Sequence, residues 1–174
     1  MAFFEYKQKL HKLVARLFTR FPILANFWTR HSKFIEFSDS PWSQVTMPAS
    51  QCRLALVTTG GVHLVSQPPF NMKDPSGDPT FREIPADTPC KNLTITHDYY
   101  DHSDADTDIN IVFPIERVLE LKKFGDIGEV NHRHFSFMGH ITNRHIHTLM
   151  TATAPQVASA LKADGVDIVI LTPA

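Results

Sequence analysis

Cysteine is scarce in this sequence, and long apolar runs are missing. The 174 residues include two cysteines, Cys52 and Cys90. Two cysteines cannot form a disulfide framework, and these two do not have the Cys-x-x-Cys spacing of a zinc site. No apolar run approaches the roughly 18 residues of a membrane-spanning helix, and Lys and Arg interrupt the apolar N-terminus, unlike in a secretory signal. The sequence therefore predicts a cytoplasmic protein with reduced thiols.

Glycine-rich nucleotide motifs are also missing. Gly60 and Gly61 follow a predicted strand, but the sequence contains neither the G-x-G-x-x-G pattern nor a P-loop lysine. Nucleotide binding is therefore disfavoured.

The net charge is close to zero but unevenly distributed. The formal charge is −1, and residues 1–34 carry seven Lys or Arg against Glu5, so this segment sums to +6 and the remainder to −7. Such an asymmetry can indicate contact with a nucleic acid or a membrane, or a solvated helix face. We favour the helix face and predict no nucleic-acid partner.

Residues 1–40 are predicted to form an amphipathic helical segment. Apolar residues recur three and four positions apart over residues 3–21, which is the spacing of a helix with one apolar face. Pro22 should end this helix, a second helical stretch should run to about Phe34, and residues 38–45 should form a linker. The apolar residues are Phe3, Leu10, Leu13, Val14, Leu17, Phe18 and Phe21.

Residues 41–174 are predicted to form one α/β domain. Strands are predicted at 53–58, 93–96, 134–139 and 167–171, helices from about Pro114 to the residue before Gly125 and at 154–163, and a proline-rich loop at 66–92. Strands that alternate with helices indicate a mainly parallel sheet with helices on both faces. We expect 53–58, 93–96 and 167–171 to be parallel strands of one sheet.

The final ten residues, GVDIVILTPA, predict a strand that is buried on both faces. In open α/β folds the loop that leaves such a strand carries ligands and catalytic groups. Because the sequence ends at Ala174, we expect a sheet that is incomplete at its C-terminal side. Its open edge would favour self-association, so a homo-oligomer is left open.

A histidine-rich loop, HDYYDHSDADTD (97–108), raises the question of a metal. His97, Asp101 and His102 fit the outer positions of the His-x-His-x-Asp-His motif of metallo-β-lactamase-like hydrolases, but Tyr99 replaces the middle histidine. The alternatives are a polar loop that caps backbone and lines a pocket, a small-molecule or partner site, and a metal site. We expect no bound metal.

Two further polar patterns give weaker evidence for a metal site. Asp104, Asp106 and Asp108 alternate like calcium ligands, but the loop lacks the glycine and glutamate that complete a calcium-binding loop. His145 and His147 are predicted on the same face of an extended segment, and we interpret their pairing as incidental.

Several short blocks together resemble a known family. LALVTTGGVHLVSQPPF, GDPTFREIP, THDYYDH, DINIVFPIERVLELKKFGDIG and HFSFMGH occur in the order found in the selenoprotein B component of the glycine, sarcosine, betaine and D-proline reductases. The resemblance runs from about Trp42 to the terminus and leaves out the first forty residues.

The resemblance implies a selenol- or thiol-dependent reductase that cleaves a C–N bond in a small amino acid or betaine. A dithiol or thioredoxin-like protein would supply the electrons. It also implies a partner subunit that carries a pyruvoyl group, and no cofactor in this chain.

The redox residue of the family is a selenocysteine or cysteine, which follows a strand like VDIVILTP. The sequence stops at Ala174, so we expect the nucleophile after this residue and a UGA codon there. Neither Cys52 nor Cys90 is expected to replace it, and the chain by itself is expected to be inactive.

The strand ends, the histidine loop and a lone arginine are predicted to form half of a substrate pocket. Arg82 could clamp a carboxylate bidentately, although an exposed ion pair is the simpler interpretation. One alternative is a non-catalytic binding or assembly module of the same fold, and a weaker one is a metal-dependent hydrolase that uses the His97–His102 loop. The predicted pocket residues are Thr59, His63, Arg82, His97, Asp98, Asp101, His102 and Asn110.

Purified protein should hold no stoichiometric zinc, because Tyr99 stands where the motif needs a ligand. Elemental analysis checks this. One or two zinc ions per chain, lost on His97→Ala or His102→Ala, would instead support the hydrolase.

Overall fold

Two compact units make up the chain in the computed structural model. One unit comprises Met1–Thr46 with Asp98–Asp101, and the other comprises Met47–His97 with His102–Ala174. The structure describes residues 43–173 and twelve positions between 6 and 30, which are 6, 10, 13–15, 17, 20, 21, 23, 26, 27 and 30. Within these residues, no helix has the length and apolar character needed to span a bilayer.

The described N-terminal positions are helical on both sides of Phe21. Positions 6, 10, 13–15, 17 and 20 are helical, as are 23, 26, 27 and 30, and the Phe21 N–H donates to the Leu17 carbonyl at 2.8 Å. Phe3, Phe18, Pro22, the predicted helix end near Phe34 and residues 38–42 of the predicted linker lie outside the described residues.

The described part of the second unit contains seven strands and four α-helices, which agrees with the predicted α/β class. The strands are β1 (Arg53–Thr58), β2 (Val62–Leu64), β3 (Phe81–Pro85), β4 (Leu93–Ile95), β5 (Glu129–Val130), β6 (Arg133–Phe137) and β7 (Ile168–Thr172). The helices are α1 (Ser103–Thr107), α2 (Ile115–Phe124), α3 (Arg144–Thr148) and α4 (Ala154–Ala163), and a π-helical turn at Leu149–Thr153 joins α3 to α4.

The main sheet is mixed but mostly parallel, with β1 at its centre. β7 pairs with β1 in parallel from Leu54 to Thr58. β5 and β6 also pair with β1 in parallel, β5 at its start and β6 at its end, and β3 pairs antiparallel with β6. The prediction that 53–58 and 167–171 form parallel neighbours is confirmed, but the prediction that the last strand is buried on both faces is wrong, since Val169 and Leu171 are exposed.

The predicted place of 93–96 is wrong. β4 lies outside the main sheet and pairs antiparallel with β2 in a separate two-stranded sheet. A parallel pairing needs a crossover connection, usually a helix, and the described chain between β2 and β4 contains only β3 and a short 3-10 turn at Cys90–Asn92. Leu93 and Ile95 alternate with Thr94 and Thr96, which is typical of an antiparallel strand.

Two other segments differ from their predictions. Residues 66–92, predicted as loop, contain β3, whose terminal Pro85 is tolerated because proline is compatible with an edge strand. His145 and His147 lie on α3 and not on an extended segment. Residues two apart do not share a helix face, and His145 contacts Asp74 at 3.0 Å while His147 is exposed.

Helix α4 covers one face of the sheet. Val157 and Leu161 of α4 pack with Ala55 of β1 and with Phe135 and Phe137 of β6 in one buried cluster. Burying each of these large apolar side chains contributes about 1.5–3 kcal/mol to folding. Because side chains alternate along a strand, His134 points to the opposite face.

His134 fills a gap beside the central strand. β5 ends at Val130 and β6 begins at Arg133, so the ladder along this side of β1 is interrupted. The Leu56 N–H donates to Nδ1 of His134 at 3.0 Å, and the ring meets Phe113 edge to face with centroids 5.8 Å apart. The imidazole thus replaces a missing main-chain acceptor.

We expect His134 to make folding stability depend on pH. Burial, with a smaller repulsion from His132, lowers the pKa of His134 to about 4. The pKa of histidine in the unfolded chain is about 6.5. Between pH 6.5 and pH 4 the unfolded state therefore binds a proton that the folded state does not, and the free energy of unfolding falls by roughly 3 kcal/mol across this range. Above pH 6.5 this contribution is fully present. Urea unfolding of the wild type at pH 7.5, 6 and 5 measures it.

His134→Asn keeps an acceptor near the position of Nδ1 but does not titrate in this range. The variant should lose most of the pH dependence between 6.5 and 4, whereas His147→Asn, at an exposed position, should retain it. Equal pH dependence in the wild type and His134→Asn would contradict this role.

Candidate functional site

Three threonines close the carboxyl edge of the main sheet. The hydroxyls of Thr58 and Thr172 both donate to the Val112 carbonyl, at 2.7 and 2.8 Å. The Thr59 N–H donates to the Thr172 carbonyl at 3.0 Å. The ends of β1 and β7 are therefore fixed to each other and to the segment that leads into α2, at the edge where α/β proteins bind ligands.

The glycine pair after β1 connects the two sheets. The Gly61 N–H donates to the Phe137 carbonyl at 2.9 Å, and the Gly61 carbonyl accepts the Thr96 N–H at 2.9 Å. Gly61 has a φ of +70°, and a Cβ there would lie 2.6 Å from the Thr96 carbonyl oxygen. This close approach, which only glycine permits, explains why the second residue of the glycine pair is glycine.

His97 is buried beside the same edge. Its Nε2 accepts the Gly139 N–H at 3.2 Å, so a neutral ring carries its proton on Nδ1. Gly139 follows β6, and the Cβ of His97 lies against Gly61. Of the predicted pocket residues, His97 and Thr59 are thus the two that border the carboxyl edge.

His63 and Arg82 hold local structure. Nδ1 of His63 lies 2.8 Å from the Leu64 carbonyl, and Nε2 lies 2.8 Å from the Thr96 hydroxyl. Arg82 donates to the carbonyls of Pro68 and Pro69, at 2.9 and 3.1 Å. The arrangement fixes the start of the proline-rich loop, and a role for Arg82 as a carboxylate clamp stays a prediction.

The remaining predicted residues are dispersed. Nδ1 of His102 contacts Asp106 at 2.8 Å. Asp98 is buried and Asp101 is half-buried, and both fall within the first unit. Asn110 stabilises the start of α2, because its Oδ1 accepts the Glu116 N–H at 3.1 Å.

A cavity of about 440 Å³ lies beside β4 in the two-stranded sheet, and the sequence did not predict it. Of the predicted pocket residues it includes Asn110, whose Nδ2 donates to Asp108 at 2.9 Å and to Glu116 at 2.8 Å. The cavity is lined by three short segments between Cys90 and Glu116 that share no sequence motif. Its lining residues are Cys90, Lys91, Leu93, Thr94, Ile95, Ala105, Asp106, Thr107, Asp108, Ile109, Asn110 and Glu116.

Both thiols are protected from ionisation. Burial raises the pKa of Cys52, and the negative charge of Asp167 adds to the effect. Burial also raises the pKa of Cys90, together with the charge and hydrogen bond of Glu116 and the charge of Asp108. A thiol reacts through its thiolate, so neither cysteine has the environment of a redox nucleophile.

Metal ligands do not cluster in the part of the chain that the structure describes. Within residues 43–173 and the described N-terminal positions, no group of three or more His, Cys, Asp or Glu side chains could hold a metal ion. The expected absence of zinc stays a prediction.

The fold and its threonine-lined edge are those of an α/β protein with its candidate site at the ends of parallel strands. The model of the family "Glycine/sarcosine/betaine reductase selenoprotein B" matches residues 28–174. The chain belongs to this family. The match begins before Trp42, where the sequence alone placed the start of the resemblance.

A curated relative matches three quarters of the chain. The chain is 36% identical over 131 residues to a D-proline reductase subunit gamma from Acetoanaerobium sticklandii, which is 75% of this chain and 52% of the relative. The chain thus spans about half the length of that relative. No solved structure shows a significant match.

The protection of Cys90 can be tested by alkylation. Glu116→Gln removes a negative charge next to the thiol, so the pKa of Cys90 should fall and its reaction with iodoacetamide at pH 7.5 should become severalfold faster. Mass spectrometry of the labelled peptide measures the rate. Glu120→Gln, at an exposed position on the same helix, should leave the rate unchanged. A wild-type Cys90 that reacts as fast as a free cysteine would show that the thiol is not protected.

Proposed function

We propose that this chain forms one component of a selenol- or thiol-dependent reductase that cleaves a C–N bond in a small amino acid or betaine. The observation that carries the proposal is the carboxyl edge of the parallel sheet, with Thr59 and His97 beside the ends of β1, β6 and β7. The family membership supports the reaction class, and the relative's name supports a role as a subunit.

The reaction consumes two electrons and two protons. A dithiol is oxidised to a disulfide, the C–N bond breaks, and the carbon and nitrogen each gain a hydrogen. The nucleophile must be ionised near neutral pH, as a selenol is and a protected thiol is not. Because the pKa values of Cys52 and Cys90 are both raised, we propose that the nucleophile is a group outside residues 1–174.

The chain is proposed to work in the cytoplasm with other polypeptides, namely a pyruvoyl-containing subunit and a dithiol or thioredoxin-like reductant. β7 offers an edge for such an assembly. Its inner side pairs with β1, whereas the described residues supply no strand for its outer side. Leu171 is 72% exposed, and parallel strands are normally covered.

The alternative is a non-catalytic binding or assembly module of the same fold. The protected thiols fit this alternative equally well. Loss or retention of a reductase activity in the source organism separates the two.

Deletion of the gene should abolish the dithiol-dependent cleavage of glycine, sarcosine, betaine or D-proline in cell extracts. Re-expression of the intact gene, with any codons that follow the one for Ala174, should restore the lost activity, which product analysis by mass spectrometry measures. Retention of all four activities after deletion would support the non-catalytic module.

The role of His97 can be tested in the same strain. His97→Gln keeps an acceptor near Nε2 for the Gly139 N–H, but it cannot exchange a proton. If His97 contacts the substrate or moves a proton, His97→Gln should restore less than about a tenth of the wild-type rate. His147→Ala, at an exposed position, should restore it fully. Full restoration by His97→Gln would show that His97 only supports the fold.

A further inference from the structure

The first 27 residues precede the part of the chain that the family model matches. Eight of the twelve described positions up to residue 30 are large apolar side chains, between 38% and 82% exposed. They are Tyr6, Leu10, Leu13, Val14, Leu17, Phe21, Ile23 and Phe27. Exposed apolar surface on this scale marks an interaction site.

These side chains form rows and are not scattered. Leu10, Leu13 and Leu17 are three and four residues apart on helical backbone, so they lie on one side of the helix. Ile23 and Phe27 repeat the four-residue spacing in the second helical stretch. Exposed apolar residues at helical spacing therefore occur in both stretches.

The positive charge of this segment indicates which kind of partner its apolar face contacts. Residues 1–34 sum to +6, and the described Arg20 and Arg30 are exposed. Two copies of so basic a segment repel each other, whereas anionic lipid headgroups attract it. A helical segment that combines an exposed apolar row with many Lys and Arg is the pattern of a helix that lies in a membrane interface.

We propose that residues 1–34 bind the surface of a bilayer that contains anionic lipids. The apolar rows enter the boundary between headgroups and acyl chains, and the basic side chains contact the headgroups. These residues belong to the first unit and the candidate site to the second, and a reductase component of the kind proposed above would then work at a membrane surface.

The two tryptophans allow a direct test in the full chain, because Trp28 and Trp42 both lie in or next to this segment. Trp42→Phe leaves Trp28 as the single reporter. Adding phosphatidylcholine vesicles with about 30% phosphatidylglycerol should shift its emission to the blue, with partitioning at least about tenfold stronger than to pure phosphatidylcholine. Raising NaCl to about 0.5 M should reverse most of this gain.

Two variants test the apolar face. Leu13→Glu with Leu17→Glu should lower vesicle partitioning at least about tenfold. Val65→Glu changes a residue that is 67% exposed on the second unit and should bind like the wild type.

Three outcomes would overturn the proposal. The first is equal binding to both kinds of vesicle, and the second is unchanged binding of the double variant. The third is a dimer in sedimentation velocity that the double variant abolishes, without vesicle binding, which would show that a second copy covers the apolar face.

Discussion

The main chain of β1 must find all its hydrogen-bond partners inside the protein, because the strand is buried and an unpaired buried N–H or C=O costs about as much as a lost hydrogen bond. β7 satisfies one side along the full strand. On the other side two short strands succeed each other, and the interruption between them is bridged by Asn131, whose N–H donates to Leu54 at 2.8 Å, and by the ring of His134. The ring of His134 is buried, which disfavours the charged form. Since Nδ1 already accepts the Leu56 N–H, an added proton would also have to displace that hydrogen bond.

An ion pair next to this interruption attaches α4 to the sheet. Arg133 is the first residue of β6, and its Nε and Nη2 donate to the two carboxylate oxygens of Asp164 at 2.7 and 2.8 Å. Asp164 directly follows α4, so this bidentate pair attaches the end of the helix to the amino end of the sheet. The Arg133 guanidinium lowers the pKa of Asp164 to about 2. At the carboxyl end of the sheet, the Val112 carbonyl accepts hydrogen bonds from the hydroxyls of Thr58 and Thr172. Both ends of the sheet are therefore fixed by polar contacts between segments distant in sequence.

Local patterns predicted the elements that carry their own signals. β1 and β7 are apolar runs, and α4 has proline in its first turn, so their positions could be predicted closely. β3 was predicted as loop, and β4 was predicted as a strand but assigned to the wrong sheet, because pairing depends on partners that no local pattern identifies. The candidate site divides in the same way. His97 and Thr59 follow predicted strands and border the carboxyl edge, but the cavity around Cys90 depends on how separate segments meet. The helical position of His145 and His147 was missed because two histidines two residues apart suggest an extended segment.

The placement of the thiols bears on how the molecule could take part in a redox reaction. The carboxyl edge presents threonine hydroxyls, main-chain groups and one buried imidazole, while Cys52 lies ahead of β1 and Cys90 lies in the cavity beside Glu116. Both environments hold the thiol in its protonated form, so neither sulfur is activated where the parallel strands end. A nearby positive charge or a helix N-terminus activates a thiol, whereas here burial raises both pKa values and neighbouring carboxylates add to the effect. The carboxyl edge of the sheet is thus built from hydroxyls, main-chain groups and one imidazole, and neither thiol belongs to it. Among the described residues, β7 is an edge strand that pairs with β1 on one side only.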